Sequence, residues 1–99
     1  MQKDAEIIRA LGHLRHHLGD HRFKITDHWE GDLHAVGISH PTDPTRLVYI
    51  AYNFQPAETY TAILECRPPA GCDHPYEECG RFDNADLESL VGIVSDHLR

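Results

Sequence analysis

The sequence predicts an α+β domain: a four-stranded antiparallel meander flanked by an N-terminal and a C-terminal helix packed on one face, in the order α-β-β-β-β-α. Three observations carry this. Apolar residues recur at helical spacing at both ends of the chain, β-branched and aromatic runs lie between them, and the connections between those runs are short. Parallel neighbours would need long crossovers, so short connections favour a meander. A chain of 99 residues, 40% hydrophobic and 25% charged, supports one modest core, and residues 1–99 are read as a single domain.

The first helix is expected from about Lys3 to Leu18, where Ile7, Ile8, Leu11, Leu14 and Leu18 form one apolar stripe. Gly19 follows as a residue suited to a left-handed C-cap. From His21 the period changes to two, with Phe23, Ile25, Asp27 and Trp29 alternating with Arg22, Lys24, Thr26 and His28. Glu30-Gly31-Asp32 then reads as a hairpin turn and Leu33 to Ser39 as the second strand. After a connection holding Pro41 and Pro44, Arg46 to Phe54 is the strongest strand, rich in β-branched and aromatic residues. Gln55-Pro56-Ala57 breaks it, and Glu58 to Cys66 is the fourth strand. Arg67 to Phe82 carries Pro68, Pro69, Gly71, Pro75 and Gly80, too many breakers for a regular element. Asp83 or Asn84 can cap a final helix whose apolar face is Leu87, Leu90, Val91, Val94 and Leu98.

The two helices need an apolar surface to cover, and Phe23, Ile25, Val48, Ile50, Ala62 and Leu64 are the candidates for that sheet face. The opposite face would show Leu47, Tyr49, Thr61 and Ile63, a partly apolar set that a loop, a second copy of the chain or a partner protein would cover. A homodimer through this face is one expectation.

Charge narrows the function classes. Nine Lys and Arg against sixteen Asp and Glu give −7, which argues against nucleic acid, whose binding needs a surplus of cations. Residues 70–99 hold seven of the acids and two of the bases, so the negative charge gathers near the carboxyl end. Such a patch raises encounter rates with basic partners, and it equally keeps a small domain soluble. Nine histidines, seven of them between His13 and His40, would carry the chain from −7 to +2 if all were protonated. The opening residues, Met1 to Arg9, are broken by charge and lack the apolar stretch of an export signal. No apolar run approaches the roughly 20 residues of a membrane helix. The expected location is therefore cytoplasmic, away from membranes, with the three cysteines reduced.

Two constellations can hold metal. His13 and His17, beside His16, share a helix face, whereas Gly19 ends the helix before His21; the alternative is a solvated histidine-rich face. Cys66, Cys72, His74 and Cys79 form a chemically valid tetrahedral zinc set, although their spacing lacks the usual close cysteine pair. The alternatives are a buried strand-end Cys66, with Cys72 and Cys79 as loop thiols or a disulfide. Catalytic and phosphate-binding motifs are absent: there is no G-x-S-x-G elbow, no G-x-G-x-x-G and no Walker loop. Neither an enzyme nor a cofactor is expected.

The middle and end of the chain carry a resemblance. Trp29-Glu30-Gly31-Asp32 leads into an apolar strand, Asp43-Pro44 precedes Leu47-Val48-Tyr49-Ile50, a tyrosine-bearing strand ends in Leu64-Glu65, and a last helix holds Leu87-Glu88-Ser89-Leu90-Val91. Over roughly residues 25–98 this resembles the small immunity proteins of bacterial polymorphic-toxin and contact-dependent inhibition systems. The resemblance implies a cytosolic antidote that binds a cognate toxin domain and occludes it, without catalytic residues. Many such domains have basic clefts, which an acidic chain can fill. The expected contacts are Asp73, Glu77, Glu78, Asp83, Asp86 and Glu88, with Tyr76 as an aromatic anchor. The competing expectation is a small metal-binding or self-associating regulatory domain.

Overall fold

The computed structural model describes residues 3–26, 31–55, 57–68, 70–71 and 77–99. The first helix, α1 (Ala5–Leu18), buries Ile7, Ala10, Leu11 and Leu14, the i, i+3, i+4, i+7 positions of one face. Ile8, one step round the helix, lies outside that stripe and is 44% exposed. Gly19 ends the helix at φ 95°, a conformation that costs a side-chain-bearing residue, and its N–H reaches the Arg15 carbonyl at 2.9 Å. Five strands follow in the described residues: β1 (Lys24–Ile25), β2 (Ala35–Ser39), β3 (Leu47–Asn53), β4 (Thr59–Cys66) and β5 (Glu77–Ala85). The last element is α2 (Leu87–His97).

All neighbouring strands are antiparallel and lie in chain order, so the meander is as expected but one strand larger. The added strand, β5, falls across the segment that the sequence reading divided between a breaker-rich loop and a helix cap. Its residues, Glu-Glu-Cys-Gly-Arg-Phe-Asp-Asn-Ala, have weak strand propensity and no clean alternation. Pairing to β4 supplies what local preference does not, and two irregularities make the pairing possible. Tyr60 pairs with Ala85 and Ala62 with Phe82, so Asp83 and Asn84 together oppose Thr61, with Asn84 at φ 58°. Leu64 pairs with Gly80 and Glu65 with Glu78, which leaves Cys79 as the extra residue of a second bulge. Gly80 sits at a close approach: a Cβ there would stand 3.0 Å from Leu64 Cδ1, so the leucine side chain would have to give way. The helix cap moves accordingly. Asn84 serves the bulge, and Asp86 caps α2 by accepting the Ser89 N–H at 2.8 Å.

Both helices pack on one sheet face and touch each other. The core joins the α1 stripe to Phe23, Val36, Ile38, Val48, Ile50, Tyr60, Ala62 and Ala85 from the sheet side, and to Leu90, Val94 and Leu98. Of the expected face, Leu64 is only partly buried and Ile25, on the two-residue edge strand, is exposed. On the opposite face Leu47 has no exposed surface, which leaves Tyr49, Thr61 and Ile63, all half-buried, as its accessible members. The expected tight hairpin at Glu30-Gly31-Asp32 is not what joins the first two strands: β1 ends at Ile25, β2 starts only at Ala35, and Gly31 is not among the positive-φ glycines, while Asp27 to Glu30 lie outside the described residues.

Candidate functional site

A cleft of about 620 Å³ opens where the start of α1, the β3–β4 connection and the start of α2 converge. Glu6 and Arg9 come from α1, Tyr52 from the end of β3, Glu58 from the connection, Tyr60 from the start of β4, and Asp86, Leu87 and Glu88 from the approach to α2. Register explains the aromatic wall. Tyr52 and Tyr60 are direct cross-strand partners, so their rings share a face with centroids 5.5 Å apart. Phe54 continues the series edge-on to Tyr52 at 5.0 Å, and His34 meets Phe54 in the same way at 4.9 Å. Phe54 is 60% exposed, an aromatic ring held in place yet largely open to solvent.

The polar groups of the wall are fixed in place. The Tyr60 hydroxyl donates to the Glu6 carbonyl at 2.8 Å, tying sheet to helix, and the Glu58 N–H donates to the Tyr52 hydroxyl at 3.3 Å. Burial pushes the Tyr60 phenol above its ordinary value, so it stays protonated and neutral. Four carboxylates, Glu6, Glu58, Asp86 and Glu88, line the cleft against one cation, Arg9, whose guanidinium lies 3.9 Å from Glu58 with both groups exposed. The cleft is thus acidic, aromatic on one side and apolar at Leu87. Among the described residues that line it there is no nucleophile–base pair. Its chemistry suits a guanidinium or ammonium group, which a ring face and a carboxylate attract together.

Asp86 and Glu88 were expected partner contacts and both stand in this wall. Glu77, Glu78 and Asp83 are exposed along β5, at the sheet edge, where charge also discourages pairing with another chain. Asp83 accepts from Arg81 Nε at 3.2 Å. Asp73 and Tyr76 lie outside the described residues. Glu6, Arg9, Tyr52, Glu58 and Tyr60 were not anticipated. The one available signal was the placing of Tyr52 and Tyr60 symmetrically about the Gln55-Pro56-Ala57 turn, which makes them face one another in any hairpin closed there.

Of the expected zinc set, Cys66 and Cys79 are brought together and joined as a disulfide, with Cα atoms 6.1 Å apart. Cys72 and His74 lie outside the described residues. The expected reduced state of Cys66 and Cys79 is therefore replaced by a bond between adjacent strands. A residue not anticipated joins them: one ligand atom each of Cys66, Cys79 and His97 lies within 4.8 Å of the others. Among the described residues this is the only grouping of three or more such ligands, so the histidines of α1 gain no third partner. The rings of His13 and His17 instead meet tilted at 51° with centroids 4.4 Å apart, and His16 meets His17 edge-on at 5.1 Å. No described helix is long and apolar enough to cross a membrane. Comparison with protein-family models, characterised proteins and solved structures finds no match for this chain.

Proposed function

We propose that this protein is a non-catalytic, acidic protein-binding module whose cleft receives a basic side chain of its partner, acting as an immunity protein that occludes a cognate toxin domain. The cleft carries the proposal: four carboxylates and two hydrogen-bonded tyrosines surround about 620 Å³, enough for a guanidinium and its stem. Around it, Phe54 offers an exposed aromatic contact, and the net charge of −7 favours encounter with a basic surface. Tyrosine and arginine are the residue types that dominate protein interfaces, and here the tyrosines are already ordered by the sheet, so little side-chain entropy is lost on docking.

The binding part is tested with a hexa-arginine peptide as probe, following backbone and side-chain resonances of the full chain. Shifts should concentrate at Tyr52, Glu58, Tyr60, Asp86 and Glu88, and the affinity should fall with salt. Neutralising Glu58→Gln, Asp86→Asn and Glu88→Gln together should weaken binding at least about tenfold, the effect of losing about 1.4 kcal/mol of interaction. Shifts confined to other surfaces, or an affinity indifferent to the triple variant, would overturn the site. The antidote role has its own test. Co-expression with a toxin domain, where one is encoded beside the gene, should restore growth, and failure to do so removes that role while leaving the cleft's chemistry standing.

A further inference from the structure

We infer that Cys66, Cys79 and His97 form a redox-gated zinc site: when the Cys66–Cys79 disulfide is reduced, the two thiolates and the His97 imidazole take up one Zn²⁺. The disulfide and the metal are then alternative clamps between the same strands, only one of which can be present at a time.

The placement is built by three elements. Cys66 ends β4, Cys79 is the bulged residue of β5, and His97 is the last residue of α2. A bulge re-aims the side chain it carries, and here the bulged residue is one whose sulfur reaches Cys66. Zinc bound tetrahedrally, at about 2.3 Å to sulfur and about 2.0–2.1 Å to nitrogen, requires its ligand atoms to stand roughly 3.5–3.8 Å from one another. The three ligand atoms already lie within 4.8 Å, so opening the sulfur–sulfur bond by side-chain rotation is the main rearrangement needed.

Independent support comes from the hydrogen bond of His97. Its Nε2 lies 2.8 Å from the Glu65 carbonyl oxygen. A carbonyl only accepts, so in the neutral ring Nε2 carries the proton and Nδ1 keeps a lone pair. A ring held this way would ligate through Nδ1, with the carbonyl as the kind of outer-shell partner that fixes a metal-binding histidine's tautomer. Access is also provided. A solvent-open hollow of about 490 Å³ has Cys66 and His97 in its wall, together with Asp43 and Asp96 and the arginines Arg46, Arg67 and Arg99. Two thiolates and one neutral imidazole make a neutral complex with Zn²⁺ and leave a fourth position for water. The redox step balances with a dithiol as reductant: it gives two electrons and two protons to the disulfide and itself becomes a disulfide, and zinc then displaces the two thiol protons to solvent.

The full chain is reduced with a dithiol, freed of it under exclusion of air, and titrated with Co²⁺, which reports thiolate ligation by a near-ultraviolet charge-transfer band. One cobalt per chain should bind, Zn²⁺ should bleach the band, and the oxidised chain should show none. His97→Ala should weaken binding by at least about tenfold, no less than the loss of an outer-shell partner costs. Absence of the band in reduced wild-type protein overturns the proposal, as does equal binding by the oxidised chain. So does loss of the band in a Cys72→Ala/His74→Ala variant with full retention in His97→Ala, since that would place the metal on other ligands. The wild-type comparison of the two redox states needs no variant to fold.

Discussion

Asp86 serves two structures at once, since its carboxylate accepts the Ser89 N–H at 2.8 Å and also stands in the wall of the acidic cleft. The hydrogen bond from Ser89 holds the Asp86 carboxyl below the usual carboxylate range, and the Thr45 hydroxyl does the same for Asp43. Both groups take up a proton less readily in the folded chain than in the unfolded one. Their contribution to stability is therefore complete above the unfolded pKa of about 3.9, and it is lost as the pH falls through their lower folded values. The melting temperature should decline as the pH falls below about 4 for this reason. Asp86→Ala should begin a few degrees lower at pH 7, for want of its cap, and decline less steeply in acid; Asp86→Asn, which still caps, should keep most of the starting value. Calorimetric scans across that range measure both.

At the scale of single elements, α1 separates residues that the sequence pattern groups together. Ile7 and Ile8 both belong to the apolar stripe by spacing, yet Ile7 is fully buried and Ile8 is 44% exposed. Leu11→Ala should cost about 2–5 kcal/mol, the range for a truncated core side chain, whereas Ile8→Ala should lie within about 0.5 kcal/mol of the parent. Urea denaturation of the two variants checks this. The strand β5 makes a different demand. Its link to β4 through Cys66–Cys79 closes a short loop, since the two cysteines are 13 residues apart. Reducing the bond in metal-free buffer should lower stability by about 2–3 kcal/mol, read as a lower urea midpoint with a slope that rises as the unfolded chain expands. The helices and the strands β2 to β4 were legible because their burial pattern is written locally, as a period of 3.6 or as runs such as Val48-Tyr49-Ile50. The strand β5 was not. Two bulges erase its alternation, and the partner that stabilises it lies a loop away. The same reason hid the cleft and His97: their residues come from separate segments, and only the meander's register and the approach of the helices bring them together.

For the whole molecule, charge and histidine content set the conditions under which it associates. The chain carries −7 with neutral histidines, and protonating all nine would bring it to +2. Binding of hexa-arginine should therefore weaken as acidification moves the net charge from −7 towards +2. An affinity that holds steady or rises would contradict a charge-led encounter. The layered arrangement has a consequence for how the chain comes into being. One flank of the sheet depends on Leu90, Val94 and Leu98, and these lie beyond every strand in the order of synthesis. Until that stretch leaves the ribosome, Val48, Ile50 and Ala62 wait with half their roof missing, at the stage when sticky surfaces meet neighbouring chains. A stalled or clipped message would hence yield a product that clumps rather than one that merely works less well.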